Sequence, residues 1–394
     1  MKKVKVGLLP RVVIAILLGV LLGLVFPQWA VRLFVTFNSV FGNFLSFLIP
    51  LIIVGLVTPA IADIGKGAGK LLLITVLIAY SDTVFSGLLS YCTSGMVFPH
   101  LIEQGAAHHV GETPQLEPFF TIAIPPLMDV MSSLVLSFAL GLGIAHFGSS
   151  GLKRGFSEFR EIIAKTIEVA LIPILPIYIM GIFMSMASTG QAWQIIKVFI
   201  SIIGVIFVMH LLLLVVQYCI AGAIAQCNPF KALKTMLPAY FTALGTSSSA
   251  ATIPVTLERS QLNGVSKGVA GFVIPLCATI HLSGSAMKIT ACAVALMLMQ
   301  NLPIDTMQMI GFVLLLGVMM IAAPGVPGGA IMASLGVLQS VLGFDANQQA
   351  LMIALYITMD SFGTACNVTG DGAIAMVVDR IAEKEVVSPT AKQS

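Results

Sequence analysis

A stripe of polar residues lies inside an apolar segment that runs from about Ala350 to Val378. Its members are spaced by 4, 3 and 4 residues: Asp360, Thr364, Asn367 and Asp371. On a helix this spacing places the four side chains on one face, where they can converge on a ligand. A carboxylate among apolar side chains costs free energy unless a cation or a hydrogen-bond donor satisfies it. We therefore predict a functional site here; the alternative is a polar stripe that joins this helix to its neighbours.

The composition excludes an ordinary soluble domain. Hydrophobic residues make up 58% of the 394 residues and charged residues 9%, whereas soluble domains have about 25% charged residues. Many apolar stretches approach or exceed the ~20 residues that a spanning helix needs, and they lack the alternation of an outer-membrane barrel. We therefore predict an all-α polytopic membrane protein. The first apolar run, Val12 to Val25, has no convincing small-residue cleavage site, so it is interpreted as a span rather than a removable signal.

The basic residues predict the topology. We expect eight transmembrane helices and two re-entrant helical hairpins in the cytoplasmic (inner) membrane of the cell, with both termini in the cytoplasm. On this topology every Lys and Arg is cytoplasmic except Arg32, Lys197 and Lys288, as the positive-inside rule requires. Since topology explains the basic residues, the net charge of +3 indicates no nucleic-acid partner; the surroundings are membrane lipid. The expected spans are about 12–26, 37–61, 71–97, 122–147, 162–186, 193–225, 267–299 and 350–378.

A serine-rich stretch from Gly245 to Pro254 lies between two apolar arms, each too short to cross a bilayer. We predict a helical hairpin over about 233–261, with its tip at mid-depth in the membrane. Bare backbone N–H groups and hydroxyls at such a tip suit a carboxylate. The alternative is a Ser-rich surface linker.

A second interrupted segment runs from Ala322 to Ala330, where five of nine residues are Gly or Pro, so no continuous helix can pass through. We predict a second hairpin over about 303–345, which suits a gate; the alternative is an ordinary outer loop. The hairpins follow the sixth and the seventh span. These corresponding places are typical of inverted repeats around a substrate site at the membrane midplane.

These motifs together resemble the glutamate-transporter family, also called the dicarboxylate/amino acid:cation symporter family. The resemblance covers nearly the whole chain, and the ordered set is specific: Gly-Thr-Ser-Ser-Ser-Ala-Ala-Thr-Ile-Pro from Gly245, Gly-Val-Pro-Gly-Gly from Gly325, and Asp360, Thr364, Asn367, Gly370 and Asp371. It implies a homotrimer with an elevator mechanism. Residues 1–69 and 99–190 would form the scaffold and trimerisation domain, and residues 70–98 and 191–394 the transport domain.

The resemblance also assigns the substrate contacts. Ser248, Ser249 and the N–H groups of that tip would bind the α-carboxylate of an amino acid, and Asp360 would accept its amino group. Thr364 and Asn367 would complete its recognition. The full predicted set is Ser247, Ser248, Ser249, Val326, Pro327, Gly328, Asp360, Gly363, Thr364 and Asn367.

Sodium would be the coupling ion, with no organic cofactor. The resemblance implies one sodium held by Asp371, Asn367 and backbone carbonyls around Gly284 and Ser285. A second would lie beneath the second hairpin, near the carbonyls of residues 334–338 and around His281. Such oxygen ligands are those that hard cations prefer. Because the ions would neutralise otherwise unpaired acceptors, ion and substrate binding should be coupled.

The chain departs from the family pattern for acidic substrates. Family members that carry acidic substrates have an arginine at the position of Gly363, or supply one from the positions of Ser247 or Ser361. Without it, a second substrate carboxylate lacks a bidentate partner. Gly363 should instead leave room for a neutral side chain, including a bulky one, and Asp360 argues for an amino acid. We therefore favour a neutral amino acid; an acidic amino acid or C4-dicarboxylate is the alternative.

The interrupted seventh span departs as well. It reads His281-Leu282-Ser283-Gly284-Ser285 where the family typically has Asn-Met-Asp-Gly-Thr, which loses a carboxylate associated with a third sodium. Asp82 lies instead in the third span, between Tyr80 and Thr83, which align with sodium-binding positions. We predict that Asp82 and Lys288, with His281, form a buried ion pair whose tethered ammonium replaces the third cation; proton coupling through His281 is the alternative. The predicted cation-site residues are Tyr80, Asp82, Thr83, His281, Ser283, Gly284, Ser285, Asn367 and Asp371.

Other function classes fit less well. A channel predicts repeated rings of charged or carbonyl groups along one pore, whereas these motifs occur singly. A membrane enzyme would need a converging nucleophile and base or a metal pair, but the six histidines show no HExxH motif and no evident triad. The sequence therefore favours a transporter over an enzyme.

Overall fold

The described part of the chain is helical throughout. The computed structural model describes residues 8–64, 70–102, 116–148, 150–188, 190, 192–324 and 327–387. Fifteen α-helices and no strand lie within these ranges, which confirms the predicted all-α class. In chain order they are α1 (Leu8–Val25), α2 (Gln28–Ile64), α3 (Lys70–Leu101), α4 (Val130–Phe147), α5 (Ser150–Thr166), α6 (Ile172–Ser188), α7 (Ala192–Ala225), α8 (Pro229–Thr246), α9 (Ser249–Leu262), α10 (Lys267–Ile280), α11 (Ser283–Met299), α12 (Thr306–Ala322), α13 (Gly329–Leu342), α14 (Ala346–Thr358) and α15 (Asp360–Val387).

Several helices are long and apolar enough to cross a membrane. Six segments of the described chain meet this condition: 28–62, 70–101, 130–147, 150–188, 199–225 and 267–299. α14 and α15 make a seventh crossing if they count as one span bent by 64°. α1 is apolar but falls short of the ~20 residues that a span needs. The chain is thus a multi-pass membrane protein, while the count of eight spans remains a prediction.

Several spans differ from their predicted outlines; the second, for example, begins at Gln28 instead of near residue 37. The fourth begins at Val130 instead of near residue 122, because Asp129 caps α4 by accepting the N–H of Ser132 at 2.9 Å. The fifth runs over 150–188 instead of about 162–186. Pro176 lies inside α6, and a π-helical turn at 167–171 joins α5 to α6.

Both predicted hairpins consist of two short helices. α8 packs on α9 across Ser247 and Ser248, and α12 packs on α13 across a connection whose described residues are 323–324 and 327–328. The four helices have between 14 and 18 residues, which is shorter than a full crossing. Each hairpin therefore presents a tip of non-helical backbone rather than a second complete span.

α11 and α15 form the centre of the structure. α15 packs against α7, α8, α9, α10 and α11, and nearly every residue of α11 is buried, including Lys288. Both helices begin at a break, α11 after His281 and Leu282, and α15 after Met359. α1 packs on α6, α6 on α2 and α2 on α4, and α2 also contacts α12 and α13. The division into scaffold and transport domains remains a prediction.

Candidate functional site

A small polar cavity lies where the two hairpins meet the two helix breaks. Its volume is about 40 Å³, which is smaller than a whole amino acid. Its lining comes from the α8–α9 tip, the α10–α11 break, the α12–α13 tip and the start of α15. Six of the ten predicted substrate contacts line it: Ser247, Ser249, Pro327, Asp360, Thr364 and Asn367.

Four helices begin at this cavity. α9, α11, α13 and α15 each contribute a lining residue from their first three positions: Ser249, Ser285, Ala330 and Asp360. A helix N-terminus carries unpaired N–H groups and a partial positive charge. The N–H groups of Gly284 and Ser285 in α11 are bonded to Asn367, but the partial positive charges of all four ends favour an anionic group such as a carboxylate.

The tip of the first hairpin is shaped by consecutive serines. Ser247 ends α8 in the left-handed region, with φ 49°. Ser248 caps α9, and its hydroxyl accepts the N–H of Ala251 at 3.2 Å. Ser247 and Ser249 line the cavity, whereas Ser248 does not. The hydroxyl of Ser248 therefore caps α9 and shapes the tip, and its assignment to the substrate carboxylate stays a prediction.

Asp360 connects the last helix to the second hairpin. One carboxylate oxygen accepts the N–H of Gly328 at 3.1 Å. Gly328 has φ 76°, a left-handed conformation that glycine adopts without strain. The other oxygen lies 3.4 Å from Nζ of Lys288. Val326, the remaining predicted contact of this tip, lies outside the described residues.

Lys288 contacts Asp360 but does not line the cavity. Its side chain is 0% exposed, and Nζ donates to the carbonyl of Met359 at 3.3 Å. Nζ also lies 3.7 Å from the centroid of the Tyr356 ring, within the range of a cation–π contact. A Cβ built on Gly363 would lie 2.5 Å from Nζ, so Lys288 fits only because residue 363 has no side chain.

Two predictions about Lys288 and Gly363 are therefore wrong. Lys288 pairs with Asp360 and not with Asp82, since five residues on a helix turn the direction of the side chain by about 140°, away from the face of Ser283. The space beside Gly363 was expected to admit a substrate side chain. It is filled by the Lys288 ammonium instead.

A second cluster lies at the α10–α11 break. The imidazole of His281 lies between two carboxylates, with Nδ1 at 2.8 Å from Asp371 and Nε2 at 2.7 Å from Asp82. An ionised carboxylate only accepts hydrogen bonds, so both contacts form together if the ring carries two protons or if one carboxyl group is protonated. Gln217 also donates to Asp82, at 2.6 Å, and to Ser283 at 3.2 Å. The predicted partnership of Asp82 with His281 is therefore present, and it includes Asp371.

Asn367 holds the beginning of α11. Its side-chain oxygen accepts the N–H groups of Gly284 at 2.8 Å and Ser285 at 3.3 Å, and its amide donates to the hydroxyl of Ser285 at 3.2 Å. The carbonyl of Gly284 accepts from Nε2 of His210 at 3.0 Å. These predicted sodium ligands thus already have hydrogen-bond partners within the protein.

Other predicted cation-site residues lie elsewhere. Tyr80 donates to the carbonyl of Leu314 on α12 at 3.2 Å, and its ring packs against Gly317. Thr83 donates to the carbonyl of Ala79 within its own helix at 2.8 Å. Residues 334–338 lie inside α13, whose carbonyls take part in the helix. Among the described residues, no group of three or more His, Cys, Asp or Glu is arranged to hold a metal ion.

Three residues of these clusters were not predicted: Tyr356, His210 and Gln217. Tyr356 precedes Asp360 by four residues and so extends the polar stripe toward α14. His210 and Gln217 are seven residues apart in the otherwise apolar α7 and therefore share a face. Polar spacing in apolar helices, applied to every span, would have found them.

Comparison with known proteins identifies the family. The sodium:dicarboxylate symporter family matches residues 8–381 of this chain. The chain belongs to this family. It is a family of membrane symporters and not of enzymes, and the match confirms the resemblance drawn from the hairpin and α15 motifs.

Individual proteins match this chain over different lengths. Excitatory amino acid transporter 3 of Oryctolagus cuniculus is 27% identical over 263 residues, which is 66% of this chain and 50% of that protein. The human protein of the same name is 28% identical over 263 residues. The match thus spans about half the length of these mammalian relatives. The proton/sodium-glutamate symport protein of Bacillus subtilis (strain 168) is 24% identical over 96% of this chain and 94% of its own length.

Proposed function

We propose that this protein is a sodium-coupled secondary active symporter that carries a neutral amino acid across the cytoplasmic membrane. The observation that carries the proposal is the convergence of four helix N-termini and Asp360 on one cavity between two hairpin tips. The helix ends suit the substrate carboxylate, and Asp360 suits its ammonium group. Family membership supports symport as the transport mode.

The neutral side chain is the finer part of the proposal. No arginine lines the cavity in the described residues. The nearest ammonium, Lys288, does not line it and is engaged with Asp360, Met359 and Tyr356. A second substrate carboxylate would therefore enter a buried space without a bidentate partner. This supports a neutral side chain over an acidic one.

An acidic amino acid or C4-dicarboxylate is the second candidate. The names of the relatives, an excitatory amino acid transporter and a proton/sodium-glutamate symport protein, favour it. The Lys288 ammonium also lies 3.4 Å from Asp360, whose side chain lines the cavity. This candidate requires Lys288 to leave Asp360 and reach the cavity.

Coupling to sodium follows the family, with a change in the ion sites. Because the His281 ring fills the space between Asp82 and Asp371, we propose that an imidazole takes the place of one cation. Fewer than three sodium ions would then accompany each substrate. Proton coupling remains the competing proposal. The Hill slope of uptake against sodium concentration, together with the charge moved per substrate, measures the number of coupled sodium ions.

We propose the elevator mechanism and the homotrimer on the same basis. Residues 70–98 and 191–394 would move as the transport domain against a scaffold of residues 1–69 and 99–190, with both termini in the cytoplasm. The packing of α1 on α6, α6 on α2 and α2 on α4 supports a separate scaffold, as does the packing of α15 among α7 to α11. Cross-linking of purified protein tests the trimer.

Uptake by proteoliposomes tests the substrate. Purified protein is reconstituted, a sodium gradient is imposed, and the twenty amino acids and succinate compete with a labelled neutral amino acid. The control is the same preparation with equal sodium on both sides, which should not accumulate label. We expect strong inhibition by a subset of neutral amino acids only. Strong inhibition by aspartate or succinate, with none by neutral amino acids, would overturn the substrate assignment.

A further inference from the structure

Asp360 lies between a space that a ligand can enter and an ammonium that belongs to the protein. Its side chain is 10% exposed and lines the cavity, whereas Lys288 is 0% exposed and does not. One oxygen of Asp360 is bound by the second hairpin through Gly328, and the other faces Lys288. The carboxylate can therefore be neutralised from either side.

The contact between Lys288 and Asp360 is loose. Their separation is 3.4 Å, compared with about 2.7–2.9 Å for a strong charge-assisted hydrogen bond. Lys288 also has two other partners, the carbonyl of Met359 at 3.3 Å and the Tyr356 ring at 3.7 Å. If it released Asp360, the ammonium would therefore keep a hydrogen bond and a cation–π contact. A cation held in this way can alternate between paired and unpaired states.

A buried carboxylate needs a cation in every state in which it stays buried. If the substrate ammonium supplies that cation in the loaded carrier, something else must supply it in the empty carrier. We propose that Lys288 is a built-in counter-cation: it neutralises Asp360 in the empty transport domain and yields it to the substrate ammonium on binding. The inference rests on the proposed function: by neutralising Asp360, Lys288 would allow the empty transport domain to return across the membrane.

Gly363 makes the contact between Lys288 and Asp360 possible. A methyl group there would meet Nζ at 2.5 Å, so the glycine keeps open the place in which Lys288 reaches Asp360. The glycine at the acidic-substrate arginine position thus has a role other than substrate selection. It lets the ammonium of Lys288 on α11 take the place of the arginine that α15 lacks at position 363.

The proposal separates two transport modes. Exchange of internal for external substrate uses only the loaded carrier, whereas net uptake also requires the empty carrier to return. Lys288→Met keeps the length and removes the charge. We expect the ratio of net uptake to exchange to fall by about tenfold or more, because the empty carrier would have to move with an unpaired carboxylate.

Substrate affinity gives a second, opposite readout. With Lys288 absent, the substrate ammonium no longer competes for Asp360, so Lys288→Met should bind the substrate more tightly at fixed sodium. Loss of a merely structural residue would weaken binding. Isothermal titration of the detergent-purified protein measures this difference.

The experiment uses full-length protein in liposomes with the neutral amino acid that wild type carries. Net uptake is measured under a sodium gradient without internal substrate, and exchange with equal sodium and substrate on both sides. Lys288→Arg should restore part of the ratio, and Lys267→Met, a change at an exposed lysine of α10, should leave it at the wild-type value. An unchanged ratio in Lys288→Met would overturn the inference, as would a parallel loss of both modes that Lys288→Arg does not rescue.

Different results would reject the proposed function and the role of Lys288. If wild type accumulated succinate and no amino acid, the substrate class would be wrong, and the inference would fall with it because succinate has no ammonium. If wild type carried a neutral amino acid and Lys288→Met kept the wild-type ratio, only the inference would fail.

Discussion

The cluster at the α10–α11 break and the cluster at the α14–α15 bend both combine a basic side chain with buried carboxylate, but their contacts differ. His281 is bonded through both ring nitrogens, at 2.7 and 2.8 Å, to carboxylates from two other helices. Lys288 meets one carboxylate at 3.4 Å. Its other partners are a carbonyl and an aromatic ring.

This difference indicates different tasks. The His281 ring is planar and is held on both sides by short hydrogen bonds, so it fixes α3, α10 and α15 relative to one another. If the ring left, the carboxylates of Asp82 and Asp371 would face each other as two like charges. A flexible ammonium on a long contact can leave its carboxylate and keep other partners. We therefore expect the His281 cluster to act as a permanent substitute for an ion and the Lys288 cluster to change during transport.

Removing the charge of Asp360 should have the largest effect. Asp360→Asn leaves both the substrate ammonium and Lys288 without a buried carboxylate, so kcat/KM for amino-acid uptake should fall about 100-fold or more. Uptake of labelled substrate by proteoliposomes measures it. Asp305→Asn changes a carboxylate that caps α12 away from both clusters and is the control. Uptake by Asp360→Asn within about threefold of wild type would exclude Asp360 as the ammonium ligand.

Removing the ring of His281 should chiefly affect stability. In His281→Ala, Asp82 and Asp371 lose the donor between them, and breaking such a buried pair costs about 3–5 kcal/mol. The melting temperature in detergent should fall, and sodium should raise it more for the variant than for wild type because an ion can enter the vacated space.

The charge argument for His281 has its own control. Adding Asp82→Asn to His281→Ala removes one of the two facing charges and should recover part of the lost melting temperature. An unchanged melting temperature in His281→Ala, or no extra effect of sodium, would contradict the idea that the ring substitutes for an ion.

A methyl group at position 363 should act only on the Lys288 cluster. Gly363→Ala displaces the ammonium from Asp360, and crowding of this kind costs about 1–3 kcal/mol, so net uptake should fall roughly five- to tenfold. Gly271→Ala is the matched control, because a Cβ built at Gly271 on α10 meets no atom within 4 Å. Equal losses in the two variants would mean that Gly363 has no special relation to Lys288.

Local spacing predicted part of the site from the sequence. Asp360, Thr364 and Asn367 line one cavity because residues three and four apart share a helical face. The hairpin tips were evident since Gly, Pro and Ser runs cannot continue an apolar helix. Such features depend on residues close in sequence.

The partners of Lys288 and Asn367 could not be predicted in the same way. Lys288 meets Asp360 only because the chain bends by 64° at Met359 and α11 packs beside that bend. Gly363 was interpreted as free space, yet a side chain 75 positions earlier in the sequence fills it. Asn367 was expected to bind sodium, but it caps a helix that begins at a break whose orientation the sequence does not specify.

The smallest predicted effect concerns the ring beside Lys288. Tyr356→Phe keeps the ring and removes the hydroxyl, which contacts Ser285 at 3.0 Å and also meets the carboxylate of Asp360, so stability should fall by about 1 kcal/mol while the ratio of net uptake to exchange falls less than in Tyr356→Leu. Tyr356→Leu also removes the aromatic face, and the ratio should fall because the released ammonium loses a partner. Melting temperature and the two transport modes, measured for both variants, separate these effects. If both substitutions lowered the ratio equally, the hydroxyl and not the ring would support the movement of Lys288. The mobility of this ammonium, in contrast to the fixed imidazole of His281, would then depend on hydrogen bonds alone.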